Sequence, residues 1–112
     1  MINPYLIPGL VKSEIHMVEY IALQHLELSS SQIRMKTRKR EVVIPRQIVM
    51  SFMYQYSDQS LESIAKIYGL RNHGTVIHAK KCIQDMLDVK DKQYYQVITK
   101  IKKDIKVYLK NK

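Results

Sequence analysis

The chain has 112 residues, the size of one modest domain, with room for a core that needs no staples. Nineteen Lys and Arg against ten Asp and Glu give a net charge of +9, while 46% of residues are apolar. That balance excludes general disorder and favours a polyanionic partner, either nucleic acid or an acidic membrane face.

Cys82 is the single cysteine, which rules out an intramolecular disulfide and a Cys-rich zinc site and suits a reducing compartment. Gly9, Gly69 and Gly74 are too scattered to build a Walker A loop or a dinucleotide fingerprint, so no ATP or other cofactor is expected. The N-terminus lacks the charged lead and apolar run of a signal peptide, and clusters such as IVMSFM are too short to span a bilayer. The expectation is a cytoplasmic, nucleoid-associated protein.

Asn3, Pro4, Pro8 and Gly9 mark residues 1–12 as an irregular lead-in. Ile15, Val18, Ala22 and Leu26 then recur at the spacing of one helix face. Ser29, Ser30 and Ser31 supply N-caps for a short second helix through Gln32, Ile33 and Met35. The following RMKTRKREVVIPR is too charged for core and reads as a basic loop. Its Arg34, Lys36, Arg38, Lys39 and Arg40 are either a solvated surface or a contact for phosphates. Pro45 suits the first position of a third helix, whose apolar stripe is Ile48, Val49, Phe52, Met53 and Tyr56.

Ser57, Asp58, Gln59 and Ser60 form a turn, and Ser60 can cap a short helix with Leu61, Ile64, Ala65 and Tyr68 on one face. Gly69 offers the left-handed conformation that ends helices, and Asn72 is a favoured N-cap for the next. That helix carries the stripe Val76, Ala79, Ile83 and Met86. Helix, short glycine-bearing turn, helix is the helix-turn-helix pattern. Its second helix enters the major groove and meets base edges with its first turn, where short polar side chains fit better than long lysines. Asn72, His73, Gly74 and Thr75 answer that requirement.

After Asp88 the pattern changes. Tyr94, Ile98, Ile101, Ile105 and Tyr108 make a regular apolar stripe, with Lys100, Lys102, Lys103, Lys106 and Lys110 around the rest of a final helix. This helix either packs on the domain or pairs with its own copy or another protein partner. His73 and His78 are five apart, on different helix faces, which argues against a zinc pair; His78 is either a contact near phosphate or a packed histidine. His16 and His25 lack the carboxylate cluster of an acid–base site, so no enzyme is expected.

The segment PRQIVMSFMYQYSDQSLESIAKIYGLRNHGTVIHA closely resembles the C-terminal DNA-binding domain, domain IV, of the bacterial replication initiator DnaA, whose signature runs PRQ and later GGRDHTTVLHA. The resemblance covers about residues 15–83. It implies an all-α, Trp-repressor-like helix-turn-helix bundle over 13–88, with 89–112 as an extra C-terminal helix. It implies double-stranded DNA as partner, bound as origin boxes are, in control of replication or transcription; a basic protein-interaction module is the alternative.

By the same resemblance, His73 and Thr75 lie at base-touching positions and Asn72 stands where an aspartate caps the helix and contacts DNA. Gly74 replaces the first threonine of the signature pair, which puts the family's A/T-rich preference in question. Arg38 falls at a minor-groove arginine beside Lys39 and Arg40, and Arg46 and Gln47 match the contacting residues of PRQ. Arg71, His78 and Lys81 complete the expected DNA-binding set. Tyr54 stands where a contacting lysine is common, and Leu70 replaces a glycine and is expected to pack. The initiator's ATPase module finds no counterpart in these residues, so the expectation is a free-standing, non-catalytic domain.

Overall fold

A computed structural model describes residues 14–111, and every regular element among them is a helix. The order is α1 (Glu14–Leu26), α2 (Ser30–Ile33), α3 (Arg40–Tyr56), α4 (Leu61–Ile67), α5 (Gly74–Asp88) and α6 (Tyr95–Lys110). The irregular lead-in expected over 1–12 lies outside the described residues. No described helix is long and apolar enough to cross a membrane.

α2 is a single turn, started by its cap. Ser29 Oγ accepts from the Gln32 N–H while Gln32 Oε1 accepts from the Ser29 N–H, a reciprocal capping box. The helix stops at Ile33, so Met35, expected inside it, is an exposed loop residue instead.

α3 corrects the sequence expectation. It starts at Arg40, and Pro45 lies within it rather than at its first position. The Val42 and Val43 N–H groups both reach the Lys39 carbonyl, at 3.0 and 2.9 Å. Ile44 is buried and Val42 and Val43 are half-buried. Burying this apolar triplet outweighs the one backbone hydrogen bond that an interior proline cannot donate. What remains of the basic segment is the loop over 34–39.

One core joins all six helices. Val18, Ile21 and Ala22 of α1 meet Ile33 of α2, Ile48, Val49, Phe52 and Met53 of α3, Ile64 of α4 and Val76, Ala79 and Ile83 of α5. Ile98, Ile101 and Ile105 of α6 belong to the same cluster with no exposed surface, and each contributes roughly 1.5–3 kcal/mol of burial. His25 Nε2 of α1 meets Asp104 Oδ2 of α6 at 2.5 Å beside this contact. The apolar stripe of the last helix is therefore packed on the domain, not presented outward.

Candidate nucleic-acid interface

The two helices of the motif are set by their ends. Ser60 Oγ accepts from the Ser63 N–H at 3.1 Å and starts α4. At the other end, the Gly69 N–H bonds the Lys66 carbonyl and the Leu70 N–H reaches back to Ala65, at 3.0 and 2.9 Å. These two bonds make a Schellman cap, which requires the left-handed backbone seen at Gly69, φ +66°. A Cβ there would meet nothing within 4 Å, so backbone conformation alone calls for glycine. Leu70 is half-buried against the core and closes the cap.

Asn72 then opens α5: its Oδ1 accepts from the Gly74 N–H at 2.7 Å and its carbonyl accepts from Thr75. His73, one residue before the first regular turn, makes no side-chain cap bond. A Cβ at position 74 would stand 3.1 Å from Asn72 Oδ1, so glycine lets the asparagine lie closely over the helix start. His73, Thr75, His78 and Lys81 are all exposed, as are Arg71 and Asn72, while Val76, Ala79 and Ile83 face inward. Ile77, also 52% exposed, lies four residues from both His73 and Lys81 and shares their face. The sequence reading missed it, although helical spacing alone places it there.

The basic loop runs beside this turn. Met35, Lys36, Thr37 and Arg38 line one concavity with Arg46 of α3 and Gly69 and Leu70 of the turn. Arg38, Lys39 and Arg40 are exposed. Arg46 has a different setting. It is half-buried, its Nε donates to the Ile33 carbonyl at 2.9 Å, and its Nη2 donates to the Met35 carbonyl. It tethers the start of the loop to α3, and burial pulls its guanidinium below the usual arginine range. Gln47 Oε1 is buried without a hydrogen-bond partner. Tyr54 is covered by the Lys80 ammonium, 5.2 Å from its ring centre. Cys82 is half-buried, its thiol 3.3 Å from His78 Nε2 one turn earlier.

A second polar cluster holds the loop's other end. Glu19 of α1 is only 5% exposed, yet both its oxygens are engaged. Arg34 Nη2 donates to Oε1 and Oε2 at 3.1 and 2.9 Å, Ser30 Oγ donates to Oε1 at 2.9 Å, and the Tyr68 hydroxyl donates to Oε2 at 2.7 Å. Burial alone would raise the Glu19 carboxyl. The hydrogen bonds from Tyr68, Arg34 and Ser30, with the Arg34 charge, outweigh it and hold the group below its ordinary value. Burial, and then the Glu19 charge, push the Tyr68 hydroxyl far above the usual tyrosine range. Arg34 also lies 5.7 Å from the Tyr68 ring centre. One carboxylate thus ties α1, α2 and the end of α4 together. Arg34, though exposed, is held in that tie through its Nη2, unlike the cations after it.

A family model described as bacterial dnaA protein helix-turn-helix matches residues 15–83, from α1 through most of α5. The chain is 38% identical over 86 residues to the chromosomal replication initiator protein DnaA of Bacteroides thetaiotaomicron, covering 77% of this chain and 18% of that protein. With the DnaA protein of Flavobacterium psychrophilum it shares 34% identity over 97 residues, 85% of this chain and 20% of the relative. With that of Psychromonas ingrahamii it shares 35% over 69 residues, 62% and 15% respectively. The chain thus spans a fifth or less of these relatives. The match falls on the non-catalytic, double-stranded-DNA-binding part of the initiator, and the chain belongs to the bacterial DnaA helix-turn-helix family.

Proposed function

We propose that the chain reads a specific double-stranded sequence through the first turn of α5, as DnaA proteins recognise origin boxes, and so acts in control of replication or transcription. The observation that carries this reading is the contrast along α5. Its inner face is sealed in the core, while its N-cap and first two turns present His73, Gly74, Thr75, Ile77 and His78, none of them a long charged side chain, able to approach base edges. Exposed Ile77 suits the methyl group of thymine.

In this reading Asn72 presets the helix start, Arg71 and Lys81 neutralise phosphates on either side, and the loop residues Arg38, Lys39 and Arg40 grip the adjoining backbone or minor groove. Arg46 holds that loop in place and offers its remaining N–H groups to a phosphate, and Gln47 lies beside it on α3. The reading unit is assigned to 13–88, with the C-terminal helix as its buttress. The intracellular, nucleoid-associated setting follows from the same reading.

Selection from a pool of random duplexes tests it. The wild-type protein is expected to enrich one motif, and Gly74→Thr, which adds a methyl and a hydroxyl at the centre of the turn, is expected to change that motif. Enrichment of no motif would leave a basic interaction module as the better account.

A further inference from the structure

The face of α6 turned away from the core is strongly charged. Ile98, Ile101 and Ile105 occupy the inner face, and Asp104, the helix's one acidic residue, is paired with His25 of α1. Thr99, Lys102, Lys103, Lys106, Val107 and Lys110 line one open surface on the other side. Four ammonium groups there have no carboxylate of their own helix among them.

The placement of α6 connects this surface to the reading helix. Lys102, near the middle of α6, shares a groove with Ser51, Phe52 and Gln55 of α3. The same groove is lined by Lys80, Ile83, Gln84 and Leu87 of α5, so Lys102 and Lys80 bridge the basic surfaces of the two helices. Lys80 directly precedes Lys81 and follows Thr75 by little more than one turn.

We propose that Lys102, Lys103, Lys106 and Lys110 hold the phosphate backbone of the same duplex that α5 occupies, on the flank of the stretch being read. A helix rise of 1.5 Å per residue spreads these lysines over about 12 Å, the axial reach of three to four phosphates of one strand. A second copy of the chain is the wrong occupant, because two such faces would bring eight ammonium groups together. The face lies outside residues 15–83, the part shared with the family model. The proposal rests on duplex binding and extends it from one contact surface to two.

The test replaces the four lysines together by glutamine and, separately, by arginine. Three duplexes of about 30 base pairs are titrated at several salt concentrations: the selected motif at the centre, flush with the left end, or flush with the right end. The glutamine variant is expected to lose about tenfold or more in affinity, with a salt slope shallower by about 3, on the central duplex and on one end-placed duplex. On the duplex lacking the contacted flank it should match the wild type. The arginine variant should behave as wild type throughout.

Equal affinity of the glutamine variant and the wild type on all three duplexes would overturn the proposal, as would an equal loss on all three. Simultaneous capture of two separate duplexes by the wild type would assign the face to a second duplex and also overturn it. If no motif can be selected, the reading proposed for α5 fails on its own. The salt slopes on a mixed-sequence duplex then decide the matter for α6, and an unchanged slope rules the contact out.

Discussion

The cluster around Glu19 and the first turn of α5 are both polar and both attached to the helix-turn-helix, and they are built in opposite ways. Around Glu19 every charge has found a partner inside the protein: one buried carboxylate accepts from Arg34, Ser30 and Tyr68. At the turn, His73, Thr75 and His78 stand exposed, and the capping work is done by Asn72 behind them. A saturated network positions elements, whereas an unsaturated, preset surface is free to satisfy its hydrogen bonds with a ligand. Two arginines in the basic stretch, Arg34 and Arg46, fall on the first side of this division, and Arg38 and Arg40 on the second.

Removing the buried carboxylate should break the comparison most visibly. Glu19→Ala leaves the buried Tyr68 hydroxyl without its acceptor and frees Arg34, which is exposed enough to be hydrated, so the loss is about 2–3 kcal/mol. Urea denaturation monitored by circular dichroism measures it. A loss below about 1 kcal/mol would mean that the network is ornamental. Tyr68→Phe, which removes one hydrogen bond and keeps the ring, should cost only about 1–2 kcal/mol.

The same network sets an acid limit. Because the folded protein holds the Glu19 carboxyl below its unfolded value, the associated stability is complete above about pH 4.3 and is lost as pH falls through the lower folded value. Tyr68 has the opposite sign. Its raised hydroxyl contributes stability below about pH 10 that disappears on the alkaline side. Glu19→Gln should flatten the acid limb of a stability-against-pH curve, and an unchanged limb would place the acid sensitivity elsewhere.

Gly69→Ala is a milder change on the other branch of the motif. With nothing within 4 Å of the added carbon, the cost is the left-handed backbone alone, about 1–2 kcal/mol in stability. Thermal melts would read it. No loss would show that the turn relaxes without the Schellman cap.

The smallest effect belongs to the exposed loop. Lys39→Ala should lower the salt slope of DNA binding by about one unit and weaken all sequences alike. Arg38→Ala should instead weaken A/T-flanked sites more than G/C-flanked ones, since the guanine amino group obstructs the minor-groove floor. Titrations against two duplexes differing only in that flank separate the two cases, and equal losses for Arg38→Ala would make it one more phosphate anchor.

Much of the fold is legible in the chain because local chemistry and packing agree there. The serines before α2 and α4, the glycine after α4 and the apolar stripes of α5 and α6 announce themselves by cap chemistry and a period of 3.6. The start of α3 is not, because the charge of its first residues masks Val42, Val43 and Ile44, and the proline at 45 imitates a first helical position. The first turn of α5 is visible as a composition, yet the division among the arginines is hidden. Arg34 finds its partner fifteen residues back in α1, and Arg46 finds backbone carbonyls, which no spacing rule reveals.

The central claim is that the first turn of α5 discriminates sequence while the Glu19 network only holds it in place. The most direct measurement compares the wild type with the His73→Ala, Thr75→Ala double variant, titrated against the selected duplex and a scrambled duplex of equal length. Each base-edge contact of this kind is worth about 1–3 kcal/mol on the cognate site. The double variant should therefore lose most of its preference, bind the scrambled duplex as the wild type does, and melt at the same temperature. An equal loss on both duplexes, or a preference left intact, would contradict the account.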